Sequence, residues 1–169
     1  MTILDQLAQH AAERVSAAQQ RLSLRELRRQ ALALPKGRFA FEHALQTPGI
    51  SFICECKKAF PSKGILAEAF PYLDIARAYE DAGADCISVL TEPKWFLGSD
   101  AYLQEIAAAV SIPCLRKDFT VDDYMIYGAK VLGASAVLLF TSLYSATSFF
   151  YHLRRGGEII YGYARKKSG

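Results

Sequence analysis

The chain holds 169 residues, 51% of them hydrophobic and 22% charged, with a formal net charge of +3. That is enough apolar sequence for one domain with a real core, so disorder is not the expectation, and no apolar run approaches the ~20 residues that span a bilayer, so no membrane-spanning helix is expected. The positive excess lies at the end, where Arg154, Arg155, Arg165, Lys166 and Lys167 outnumber Glu158; without a basic stripe through the fold, nucleic-acid binding is excluded.

No charged segment followed by an apolar stretch opens the sequence, so a cytoplasmic protein is expected. Four cysteines, Cys54, Cys56, Cys86 and Cys114, lack the paired spacing of a zinc or redox motif and sit in apolar runs, which predicts buried, reduced thiols. His10, His43 and His152 are scattered without metal-ligand spacing, so no metal is expected and no histidine is given a role.

From the N-terminus, Thr2 is a plausible cap for a helix with Ile3, Leu4, Leu7, Ala11 and Val15 on one face. Ser23 opens a second helix through Leu24, Leu27, Ala31 and Leu34, which Pro35-Lys-Gly37 stops. A short helix around Phe41 to Leu45 and a turn at Pro48-Gly49 lead to a strand from Ile50 to Cys56. After a loop at Pro61-Ser-Lys-Gly64 come a helix from Asp74 to Ala82 closed by Gly83, a strand from Cys86 to Leu90, and a loop to Ser99. A helix from Asp100 to Val110, a strand from Pro113 to Lys117, a helix from Asp122 to Leu132 closed by Gly133 and a strand from Ala136 to Phe140 complete the series. The alternation is that of βα units on a parallel sheet, which fits half of a (β/α)8 barrel or one side of a doubly wound sheet. No strand is followed by Gly-x-Gly-x-x-Gly, so no dinucleotide is implied.

The first strand carries the chemistry. Side chains alternate along a strand, so Ile53, Glu55 and Lys57 point one way and Phe52, Cys54 and Cys56 the other. Two charged groups on the inward face of a core strand need a partner, water or a ligand, because an unpaired buried charge costs several kcal/mol. On the third strand the same parity puts Lys117 with Leu115 and Pro113, and Cys114 with Arg116. Active groups in a βα fold gather beyond the carboxyl ends of the strands, so Glu55, Lys57 and Lys117 are predicted to converge. A solvated Glu-Lys pair on an edge strand, with Lys117 snorkelling to water, is the structural alternative.

Phe52-Ile-Cys-Glu-Cys-Lys-Lys-Ala-Phe-Pro-Ser-Lys-Gly64, Ile87-Ser-Val-Leu-Thr-Glu92 with Phe96-Leu-Gly-Ser99, and Leu115-Arg-Lys-Asp-Phe119 together resemble the indole-3-glycerol-phosphate synthase family. The resemblance runs from near Met1 to Phe140. It implies an α/β fold, a truncated (β/α)8 barrel of about four βα units, with residues 1–48 as a helical N-terminal extension, 49–140 as strands one to four and 141–169 as an aberrant or divergent basic tail. It also implies a step of tryptophan biosynthesis, the decarboxylating ring closure of 1-(2-carboxyphenylamino)-1-deoxyribulose 5-phosphate to indole-3-glycerol phosphate, with no cofactor. By that similarity Lys117 matches the general acid that protonates the substrate carbonyl oxygen. Lys57 matches a lysine near the substrate carboxylate with a part in the later dehydration, and Glu55 the glutamate beside them. Ser62, Phe96, Phe119 and Leu138 match substrate-contact positions, the last three as an apolar wall for the anthranilate ring; packing is the equal alternative for such side chains. A phosphoribosylanthranilate isomerase is disfavoured by the lysine motifs.

The match has gaps. A complete barrel takes roughly 200 residues or more, and the family's fifth-strand glutamate base and its phosphate-binding loops have no counterpart: counting on from Leu138 without a gap brings Lys166 to the base position, aligning Gly157-Glu-Ile-Ile160 with the fifth strand brings Gly162, and Glu158 finds no persuasive register. The aromatic and basic tail reads as foreign sequence, as if the frame were interrupted near Phe140. Two expectations follow: an indole-3-glycerol-phosphate synthase by descent, acting on a small phosphosugar, or an inactive half-barrel that needs self-association or a complementing half to fold, since an open sheet leaves unpaired edges.

Overall fold

Helix α1 (Ile3–Gln19) starts where the sequence predicts, because Thr2 and Asp5 form a reciprocal capping box: the Thr2 hydroxyl accepts from the Asp5 amide and the Asp5 carboxylate accepts from the Thr2 amide. In this computed structural model, which describes residues 2–60, 64–65, 69–140 and 143, α2 (Leu24–Ala33) and α3 (Ala40–Leu45) follow, α2 capped by Ser23. Strand β1 (Ile53–Cys56) then leads to β2 (Ala59–Phe60), β3 (Gly64–Ile65) and α4 (Tyr72–Asp81). The rest of the described chain alternates: β4 (Cys86–Leu90), α5 (Asp100–Ala109), β5 (Cys114–Lys117), α6 (Asp123–Val131) and β6 (Ala136–Val137).

β1, β4, β5 and β6 form one parallel sheet in that order, each strand beside the next in the chain as right-handed βα units place them. Gly83 and Gly133 end α4 and α6 with φ of 85° and 88°, the left-handed geometry that the predicted helix stops require. Two strands are shorter than their apolar runs. β1 begins at Ile53, not Ile50, because its partner β4 begins at Cys86 and Ile53 is paired with it; Ile50 therefore stays exposed. β6 stops at Val137 rather than Phe140, although the Leu138 amide still donates to the Arg116 carbonyl at 3.3 Å. The segment read as a plain loop after β1 opens and closes instead with a small antiparallel ladder, β2 against β3.

The sheet's helix-side face carries Cys56, Val89, Cys114, Arg116 and Val137, buried with Leu103, Ile106, Ile126 and Tyr127 from the covering helices. The cysteines are free thiols. Cys56, Cys86 and Cys114 are buried as expected, whereas Cys54, nearer the start of the edge strand, is only half-buried. On the other face Glu55, Ser88 and Leu115 lie in one register row and Leu90 and Lys117 in the next. Its edge is open, with Ile53 46% exposed. A second apolar cluster joins α1, through Leu7, Ala11 and Val15, to Phe119 and Met125, with Trp95, Phe96 and Phe140 packed against it. This cluster lays α1 over the loops that leave β4 and β5.

Candidate active site

Parity and register bring the predicted groups together. Glu55 near the end of β1 and Lys117 at the end of β5 lie two strands apart, and the Lys117 amine donates to Glu55 Oε2 at 2.9 Å. The Lys57 amine donates to the other oxygen, Oε1, and lies 4.1 Å from the centroid of the Phe60 ring. One carboxylate thus bridges two amines across the strand ends. The side chains of Glu55, Lys57 and Lys117 are 28%, 18% and 33% exposed, so the cluster is neither solvated on an edge nor sealed. Burial would raise the Glu55 carboxyl, but the hydrogen bonds and charges of the two lysines outweigh it and hold the group below the ordinary glutamate value. Chemically, the cluster offers two positioned amines to an oxygen-rich ligand, and the bridging carboxylate orients both.

Of the predicted ring contacts, Phe96 and Phe119 lie 6.4 Å apart between centroids, and Phe119 stacks on Phe140 at 5.0 Å with planes 12° apart. Phe119 is buried in the α1 cluster, so packing is one of its roles. Leu138 is half-buried just past β6. Ser62 and the tail expected to be foreign, apart from Leu143, lie outside the described residues.

The structure adds a layer that the sequence reading leaves without a role. Asp118, next to Lys117, has a fully buried carboxylate that receives both η nitrogens of Arg14 at 2.7 and 3.1 Å, the Thr91 hydroxyl at 2.7 Å and the Phe119 amide at 2.8 Å. Burial would raise this carboxyl too. The Arg14 hydrogen bonds, with the Arg116 and Arg14 charges and the Thr91 hydroxyl, hold it low instead. Arg116, forced to the helix side by the strand parity that turns Lys117 the other way, donates to Thr91, to the Met125 carbonyl and to Asp100 at 2.7 Å. Glu92, also buried, accepts the amides of Lys94, Trp95 and Phe96 and meets His10 Nδ1 at 3.1 Å. His10, given no role from sequence, therefore has one. A buried arginine beside an aspartate in Arg116-Lys-Asp118 is a readable sign of an ion-pair network; its reach to α1 is not readable locally.

The Leu97-Gly98 step closes the β4 loop so tightly that a Cβ on Gly98 would sit 2.4 Å from the Leu90 carbonyl oxygen. A cavity of about 440 Å³ lies beyond this network, lined by Arg14, Thr91, Asp100, Arg116, Tyr124 and Met125 among others, and does not include Glu55, Lys57 or Lys117. No group of three or more His, Cys, Asp or Glu among the described residues could hold a metal ion. No helix among them is long and apolar enough to cross a membrane.

Comparison with known proteins gives the arrangement a lineage. A family model described as indole-3-glycerol phosphate synthase matches residues 4–153 and so runs past Phe140, where the motif resemblance ends. The chain is 51% identical over 142 residues to the indole-3-glycerol phosphate synthase of Ruminiclostridium cellulolyticum, covering 83% of this chain and 55% of that protein. It is 50% identical over 144 residues to that of Endomicrobium trichonymphae, covering 85% and 56%, and 48% identical over 142 residues to that of Lacticaseibacillus paracasei, covering 83% and 55%. The chain spans about half the length of the curated relatives it matches. With its lysine motifs meeting on one carboxylate and a family match over most of its length, the chain belongs to the indole-3-glycerol phosphate synthase family.

Proposed function

We propose that this chain carries the amine half of the site that closes the indole ring of indole-3-glycerol phosphate, on a sheet that is half of a (β/α)8 barrel. In this reading residues 1–48 form a helical extension ahead of the first barrel strand, residues 49–140 supply strands one to four, and the protein works in the cytoplasm. The observation that carries the reading is the bridge from Lys57 through Glu55 to Lys117 at the strand ends.

The substrate is 1-(2-carboxyphenylamino)-1-deoxyribulose 5-phosphate. Lys117 gives a proton to the ketone oxygen as the ring carbon bearing the carboxylate attacks the carbonyl carbon. The carboxylate leaves as carbon dioxide and its bonding electrons return to the ring. The new hydroxyl, protonated through Lys57, then departs as water while the neighbouring N-bound methylene carbon gives up a proton to the base and that C–H electron pair forms the ring double bond. Glu55 keeps both amines aimed at substrate oxygens between steps. A positioned general acid contributes ~10²–10⁴ in rate. Phe96, Phe119 and Leu138 bound the anthranilate ring, and Ser62 contributes a polar contact. The base and the phosphate cradle come from further βα units, carried by the same polypeptide or by another one.

A second reading, an inactive half-barrel that needs a partner half or a second copy, is favoured by the open sheet: β1 and β6 each have one strand neighbour among the described residues, and Ile53 is exposed. Incubating the purified chain with the substrate decides between them. Indole-type fluorescence that grows in, from the chain alone or once a polypeptide carrying the further βα units is added, and falls at least 100-fold in Lys117→Ala supports the enzyme; a trace that stays flat in both supports the inactive half-barrel.

A further inference from the structure

His10 and Arg14 lie one helical turn apart on α1, and each ends on a buried acid in a different loop: His10 on Glu92 after β4, Arg14 on Asp118 after β5. These acids also organise their own loops. Glu92 gathers the amides of Lys94, Trp95 and Phe96, and Asp118 takes the Phe119 amide and the Thr91 hydroxyl. We propose that α1 is a two-pin clamp on the site, with Arg14 the positioning residue for Lys117 and Phe119 and His10 that for Phe96. The proposal rests on the ring-closure reading for the purpose of the clamp, and on the structure alone for its existence.

Three observations separate a clamp from ordinary helix packing. The apolar stripe of α1 buries only Leu7, Ala11 and Val15, so most of its specific grip is polar. Asp118 stands between Lys117 and Phe119 in the chain, so the atom set that Arg14 holds is contiguous with the amine and with the ring wall. The Arg14–Asp118 pair is bidentate, which fixes an angle as well as a distance. Reacting groups tolerate little error, and a misplacement of about 1 Å is enough to cost ~10²-fold in rate. Lys57, one residue past β1, shares no hydrogen bond or ion pair with either pin among the described residues and meets Lys117 only through Glu55.

That asymmetry supplies the test. The full chain is acetylated with limiting acetic anhydride in the absence of substrate, and labelling of Lys117 and Lys57 is read separately by peptide mass spectrometry. Both amines share Glu55, so their ratio cancels loosening of the whole fold. In Arg14→Leu the Lys117-to-Lys57 labelling ratio is expected to rise at least threefold, and in Arg14→Lys, which keeps the charge but not the bidentate fork, to return only part of the way to the starting value. If Arg14→Leu does not fold, Arg14→Gln, which keeps one hydrogen bond, takes its place under the same ratio. Equal acceleration of both lysines reduces α1 to a stabilising element and overturns the proposal, as does an unchanged ratio. Because no turnover is measured, a failed Lys117→Ala assay with the expected ratio removes the ring-closure reading and leaves the clamp.

Discussion

Replacing Asp118 by asparagine keeps the shape of the side chain and removes its charge. In the native fold the carboxylate is fully buried and serves four donors, two of them on Arg14 at 2.7 and 3.1 Å, with Arg116 Nη2 a further 3.7 Å away. Breaking a buried pair by removing one partner costs about 3–5 kcal/mol. The Arg14 side chain is 24% exposed and recovers some water, which places the cost near the lower end, at about 3 kcal/mol. In urea, with a slope of about 2 kcal/mol/M, the midpoint followed by circular dichroism at pH 7 should fall by about 1.5 M. The pH dependence carries a sign. The folded carboxyl is held below its ordinary value of 3.8, so its contribution is complete above that value and is lost as pH falls through the folded one. The gap between the two proteins should therefore narrow on acidification. A loss under about 1 kcal/mol, or a gap that stays constant down to pH 3, refutes the reasoning.

Three other outcomes are expected. Gly98→Ala drives a Cβ against the backbone of Leu90 and Thr91, at 2.4 to 2.8 Å, and should cost about 2 kcal/mol or a melting point lower by about 5 °C; Gly83→Ala, with open space but φ of 85°, should cost less. Burial pushes Cys56 and Cys114 up to about 12 and Cys86 up to about 11, so iodoacetamide at pH 8 should label the half-buried Cys54 first and the other three only after denaturation. The Glu55 carboxyl carbon should titrate with a midpoint below 4.5, so that the bridge's contribution is complete above that pH and fades as pH falls through the midpoint; the midpoint should move up in Lys117→Ala.

The site was legible where chemistry and local period coincide. Alternation along two short strands was enough to turn Glu55, Lys57 and Lys117 to one face and Arg116 to the other, because a parallel register carries that parity across neighbouring strands. Strand limits are less legible, since Ile50 and Phe140 belong to apolar runs but pair with no strand among the described residues. His10 and Glu92 illustrate the larger blind spot. Each looks unremarkable in its own stretch, and only tertiary packing across a separation of 82 positions gives them a shared purpose. The aromatic residues fall between these cases: the sequence reads Phe119 as a wall or as core, and its buried stack on Phe140 is core packing.

The two contacts of α1 also bear on the order of folding. They join residues 82 and 104 positions apart, so the helix, made before the sheet, cannot complete both until the third parallel strand has emerged. The entropy of closing such loops grows only logarithmically, and a 104-residue closure costs about 0.2 kcal/mol more than an 82-residue one. Once His10 has found Glu92, the only chain left to loop before Arg14 meets Asp118 is the segment between the two acids. The second contact then forms against a smaller entropic barrier than the first, so the pair should form together once β5 has been made, with the apolar face of α1 uncovered until then.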